Sequence, residues 1–203
     1  MLTIVTPPAA LPVTVEEVMA QARVTTLDEI NVLQNYIRAV TGWLAGRNGW
    51  LGRSIIEQTL EVTVRTDVVQ GMTGPYLYAR NEIVLPRPPL LEVVSVSYVD
   101  PFGLDILAVP QASYTVVHGA DGLARLCLNP GLAWPLAAYA PEALRIRYRA
   151  GYGPSPQDVD EGLRQAILMA VTRLYSSRGE DTPTSLQSDP WIKELFAPYR
   201  VLS

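Results

Sequence analysis

One histidine and one cysteine bound the catalytic chemistry open to this chain. His118 is the base that any Ser-His-Asp or Cys-His arrangement would have to use. It stands beside Gly119 at an expected hairpin end, no G-x-S-x-G elbow occurs in the chain, and a surface histidine is the simpler reading. Cys127 lies alone in a strand-like run, so no internal disulfide forms, and a small buried apolar residue is a simpler reading than a nucleophile. These two leave only an all-oxygen metal site. Asp158, Asp160 and Glu161 lie close together, but a helix start already gives acids an electrostatic role. Gly151-Tyr152-Gly153 matches neither phosphate-loop pattern, and its glycines let the chain turn from strand into helix. The expectation is a non-enzyme with no catalytic set, no metal and no cofactor.

Charge points to surfaces instead. Arg145, Arg147 and Arg149 alternate with Leu144, Ile146 and Tyr148 and make a basic stripe along one strand face. Such a stripe meets an acidic partner or DNA phosphates, or it is the solvated side of an edge strand, where charge deters aggregation. The net charge of −4 is no footprint for wrapping nucleic acid, which favours the solvated side or a protein partner. Lys193 is the only lysine; every other basic residue is an arginine, the better residue for planar pairing.

The elements that position these residues follow from periodicity. The chain has 203 residues, 48% hydrophobic and 18% charged, enough for a packed core. No signal peptide opens it, and no apolar run nears the ~20 residues of a membrane span. Residues 1–13 read as an extended arm, because Pro7, Pro8 and Pro12 block helix and ladder alike. Thr14 with Glu17, and Thr26 with Glu29, form capping boxes for helices to about Ala22 and Ala45. The period then becomes alternating at 60–65 and 94–98, with a looser loop at 71–80 and a short strand at 82–85 ended by Pro86. Asp100-Pro101-Phe102-Gly103 is a turn, and Asp121-Gly122 marks a hairpin between 113–117 and 123–128. Ser155 and Pro156 open a long helix that Gly179 stops.

That helix is apolar all round from Ala166 to Val171, so Leu168, Met169 and Tyr175 are expected to face a neighbouring subunit. After a polar stretch, a short capped helix begins at Pro190 and carries Trp191, Leu195 and Phe196, followed by Tyr199, Arg200, Val201 and Leu202. Trp, Tyr and Arg anchor interfaces, so this tail is either a docking segment or a segment folded back on its own domain. The expected fold is α+β: a helical frame with an antiparallel β insertion at about 55–150 and an extended C-terminal arm. Residues 14–180 form one domain and residues 181–203 a docking segment.

Several blocks in order carry a family resemblance. They are the capped helix at 14–22, Leu85-Pro86-Arg87-Pro88-Pro89, the run 93–98 with its Asp100-Pro101-Phe102-Gly103 turn, Arg149-Ala150-Gly151-Tyr152-Gly153, the segment 165–180, and Pro198-Tyr199-Arg200. In this order they resemble the head–tail connector (adaptor) proteins of long-tailed phages and of phage-derived gene transfer particles. The likeness spans nearly the whole chain; residues 71–78 depart from it. It implies a non-enzymatic structural protein, made in the bacterial cytoplasm and placed at the head–tail junction of a virion or phage-like particle. There a ring, usually of twelve copies, would sit beneath the portal protein and join it to a stopper or tail-completion protein. DNA would pass through the lumen without sequence-specific binding, and the C-terminal residues Trp191 to Ser203 would dock on the portal. Another neck ring, itself a stopper or tail-completion protein, is the alternative.

Overall fold

The computed structural model describes residues 1–46, 48–65, 82–138, 140, 142–178, 186 and 188–201. The fold is α+β, and the chain divides into two compact units. One takes Met1–Pro7 and Gln58–Gly151; the other takes Pro8–Glu57 and Tyr152–Ser203. The loop expected at 71–80, the helix stop at Gly179 and the docking residue Leu202 lie outside the described residues.

The first unit is built from strands β1 (Leu2–Thr6), β2 (Gln58–Val64), β3 (Glu82–Leu85), β4 (Leu90–Val99), β5 (Ile106–Ala108), β6 (Tyr114–His118), β7 (Ala124–Leu128) and β8 (Leu144–Ala150). They form a five-stranded antiparallel sheet, β1-β2-β8-β4-β5, and a three-stranded one, β3-β7-β6. Alternation explains the core: Leu60, Val62, Ile146 and Tyr148 point inward with Ile83, Leu85 and Leu126 of the smaller sheet. Tyr148 is fully buried, and its hydroxyl donates to the Pro86 carbonyl at 2.7 Å, which satisfies the one polar atom it carries inside. The Asp121-Gly122 hairpin forms as its sequence predicts, with Gly122 at φ +77.

Two expectations about strands need correcting. Leu2–Thr6, read as part of an arm barred from pairing, is laddered to β2; the prolines begin only at Pro7, beyond the paired residues. β8, for which an edge position was one of the alternatives, lies at the centre of its sheet, with β2 on one side and β4 on the other.

The second unit holds helices α1 (Val15–Ala22), α2 (Ile30–Ala45), α3 (Glu161–Ser176) and α4 (Pro190–Phe196). Thr14 and Glu17 make the predicted capping box. Thr26 does not cap: Leu27–Glu29 is a 3-10 turn, and α2 starts after it. The long helix likewise starts later than Ser155. Ser155 caps only the 3-10 turn Pro156–Asp158, Val159 returns to extended backbone at ψ 139, and Asp160 accepts the Leu163 N–H at 3.0 Å as the true N-cap. Two cap signals stand five residues apart, and the second opens the helix.

Candidate interaction surfaces

The residues with catalytic potential are dispersed. His118 is exposed at the end of β6, opposite Ala124. Cys127 is half-buried on β7, and burial, reinforced by Glu82, pushes its thiol above the ordinary value, against the thiolate a nucleophile needs. Asp158 accepts the Ser155 backbone N–H at 2.8 Å, and Asp160 caps α3, so each of these acids has a structural task. Among the described residues, no group of three His, Cys, Asp or Glu side chains is placed to hold a metal ion. Among them, too, no helix is long and apolar enough to cross a membrane.

The arginine stripe is matched by acids. Arg145 pairs with Glu142 at 3.1 Å, Arg147 with Glu61 at 2.8 Å, and Arg149 with Glu92 at 2.9 Å. Glu61 comes from β2 and Glu92 from β4, so the flanking strands neutralise the central one. A face meant for phosphates would leave its guanidinium groups unpaired. Two of the three pairs cross strands, Arg147 to Glu61 and Arg149 to Glu92, and the third is local, Arg145 to Glu142.

The apolar girdle of α3 is met within its own unit, where α1, α2 and α4 all pack on it. Leu168, expected at a subunit contact, is 9% exposed and belongs to that unit's core. Tyr175 is half-buried, edge-on to Tyr36 with centroids 6.4 Å apart, and the Arg178 guanidinium lies 4.0 Å from its ring centroid. Met169 is half-buried in a recess of about 420 Å³ that also touches Gln21, Thr172, Arg173 and Trp191. The helices on either side of it in the chain supply the cover that periodicity in α3 alone left open.

The C-terminal segment lies on its own unit. Phe196 and Ile192 are fully buried, and Phe196 meets the Trp43 ring edge-on at 6.2 Å. Leu195 and Tyr199 pack against the same core. The Tyr199 hydroxyl bonds Asp160, and burial chiefly, with that bond, pushes its pKa up. Val201 donates its N–H to the Leu51 carbonyl at 2.8 Å. Asp189 accepts from the Trp191 N–H and from Arg173 Nε at 2.6 Å, fixing the start of α4. Of the residues read as a docking set, Phe196 is therefore a core residue, because nothing of it is left outside. Trp191, 38% exposed beneath Arg173, and Arg200, over the Trp50 ring at 4.7 Å, remain at the surface.

One surface was missed in the sequence. The turn between β4 and β5 carries Phe102 at 84% and Leu104 at 81% exposure, with Ile106 also exposed. The turn is tightly organised: the Gly103 N–H donates to the Asp100 carbonyl at 3.0 Å, and the Asp100 carboxylate accepts from Leu104 at 2.6 Å and Asp105 at 3.0 Å. Those backbone bonds, Asp105 first, hold the Asp100 pKa below the ordinary value. The signal was present in Asp100-Pro101-Phe102-Gly103-Leu104, where turn chemistry encloses two large apolar residues.

No protein-family model matches the sequence, and no curated protein does. Solved structures do share the fold. A chain in the neck of an empty gene transfer agent particle, computed with C6 symmetry, superposes at TM-score 0.73 with 21% identity, covering 100% of this chain and 96% of that one. A chain of the virion of a native gene transfer agent particle gives 0.72 with 20% identity, and one from a native neck computed with C12 symmetry gives 0.64 with 19%, at the same coverage. At this identity the shared property is the fold, and it is shared from end to end.

Proposed function

We propose that this chain is a structural subunit of the neck of a phage-derived particle. The observation that carries the reading is the end-to-end likeness to a neck chain: both units align, and almost nothing of that chain is left over. A structural, non-enzymatic role follows from that likeness, since the neighbours are chains of a particle's neck and virion. The finer assignment, an adaptor ring of about twelve copies between the portal and a stopper or tail-completion protein, draws on the family resemblance and on the C6 and C12 symmetries of the neighbours' particles. In that ring Trp191, exposed in the C-terminal set, is a portal contact, and Met169 lies at the subunit boundary. DNA crosses the lumen without holding to a chain of net charge −4.

The test is imaging of particles from cells with and without the gene. Particles with the gene should show this chain as a closed ring at the head–tail junction, and particles without it should show unjoined heads and tails. A ring found lower in the neck would select the stopper or tail-completion reading. Normal joined particles lacking the chain would refute a neck role altogether.

A further inference from the structure

The exposed β4–β5 tip has a counterpart in the chemistry of the helical unit. The tip, residues 100–105, presents Phe102 and Leu104 between two carboxylates, Asp100 and Asp105, and contains no basic residue. On the helical unit, Trp50, Ala197, Lys193, Glu194 and Arg200 line a shallow recess of about 360 Å³. Its lining joins Ala197 and Trp50, the latter with the Arg200 guanidinium over its ring at 4.7 Å, to two cations and one carboxylate. Large apolar side chains held out on an ordered turn mark an interaction site, and opposite charge around an apolar centre selects the partner.

Resting on the neck-ring reading, we propose that the 100–105 tip of one copy seats in the Trp50–Arg200 recess of a second copy. Phe102 and Leu104 enter over Ala197 and beside the Trp50–Arg200 stack, and the tip carboxylates meet Lys193 and Arg200. The contact is heterologous, since each copy offers a tip to one neighbour and a recess to another, and such contacts propagate into rings.

The single lysine makes the test direct. Purified particles containing the chain are treated with a water-soluble carbodiimide, which joins a carboxylate to an amine as an amide and takes up the water lost. The expected result is a ladder of dimers and higher multimers of this chain on a denaturing gel. Its junction peptide should link Lys193 to Asp100 or Asp105. The ladder should be lost in Asp105→Asn combined with Lys193→Arg, and reduced by Phe102→Ser, whose exposed position leaves folding intact. Lys193 joined only to other carboxylates, or joined to the tip only in bands of monomer size, would overturn the contact. Particles found to lack the chain would instead remove the neck assignment, and this contact with it.

Discussion

The backbone N–H of Val201 donates to the carbonyl of Leu51 at 2.8 Å, laying the end of the described chain against the turn that follows α2. Gly52 sits in that turn at φ +66, and a Cβ on it would come within 2.9 Å of the Val201 carbonyl oxygen. Tail and turn are thus fitted to each other. The C-terminal helix is part of the helical unit's core before it is anything else, and a docking role must work through what it leaves exposed.

Phe196 and Trp191 should therefore separate. Phe196→Ala opens a cavity beside Trp43 and should lower stability by about 3–5 kcal/mol. Trp191→Ala should lower it by no more than about 1 kcal/mol, since the ring is partly solvated and its cation–π contact with Arg173 is modest. Urea denaturation of the two variants checks this. Under the neck reading, Trp191→Ala should nonetheless reduce portal binding. Removal of residues 191–203 should destabilise the helical unit, because it takes Ile192 and Phe196 out of that unit's core.

Leu168 and Met169 are adjacent in α3 and should differ as sharply. Leu168→Glu places a carboxylate in the core and should lower stability by more than about 2 kcal/mol. Met169→Glu, at the edge of a solvent-open recess, should stay within about 1 kcal/mol of the parent. If Met169 lies at the ring boundary, its variant will remain a folded monomer and fail to enter particles. Stability curves and particle incorporation, measured together, distinguish the two outcomes.

Features written within a few residues were legible. The Thr14–Glu17 capping box, the Asp100–Gly103 turn and the hairpin around Gly122 each need only local chemistry. What escaped was set at a distance. The partner of Arg147 is Glu61, 86 residues away, and no pattern within β8 announces it. The central position of β8 depends on which strands flank it, and the pairing of Leu2–Thr6 depends on β2. Trp191, Leu195 and Phe196 share one short amphipathic helix, and that pattern reads the same whether the helix meets a partner or its own core. The exposure of Phe102 and Leu104 is illegible for the opposite reason: a turn signal fixes the local backbone and carries nothing about whether the side chains on it find cover.

Asp121 provides a pH-dependent prediction. The Arg125 guanidinium bonds both its oxygens, and the Leu123 N–H adds a third bond, so its pKa is held below the ordinary 3.8. A depressed folded-state pKa contributes stability that is present above the unfolded value and is lost as pH falls through the folded one. The β6–β7 hairpin should thus keep this contribution at neutral pH and lose it only in acid below 3.8. The protection of the Leu123 and Gly122 amides, taken relative to their intrinsic exchange rates at each pH, should fall in that window, and Asp121→Asn should abolish the dependence.

The arginine face yields the last prediction. Arg147 reaches Glu61 through both Nε at 3.1 Å and Nη2 at 2.8 Å, on a surface where the neighbouring arginines are also matched by carboxylates. Ion pairs this exposed are worth about 0–1 kcal/mol each, so Arg147→Ala should lower stability by no more than about 1 kcal/mol. Because each phosphate contact would first have to displace a carboxylate, the parent should bind duplex DNA no better than the variant does at low salt. Glu61→Gln frees Arg147 without removing it and is the sharper probe. If these ion pairs are what hold phosphates off, this variant alone should gain weak DNA binding that falls with added salt. Fluorescence anisotropy with a labelled duplex reads all three proteins, and tight salt-dependent binding by the parent, weakened in Arg147→Ala, would reinstate the stripe as a nucleic-acid surface.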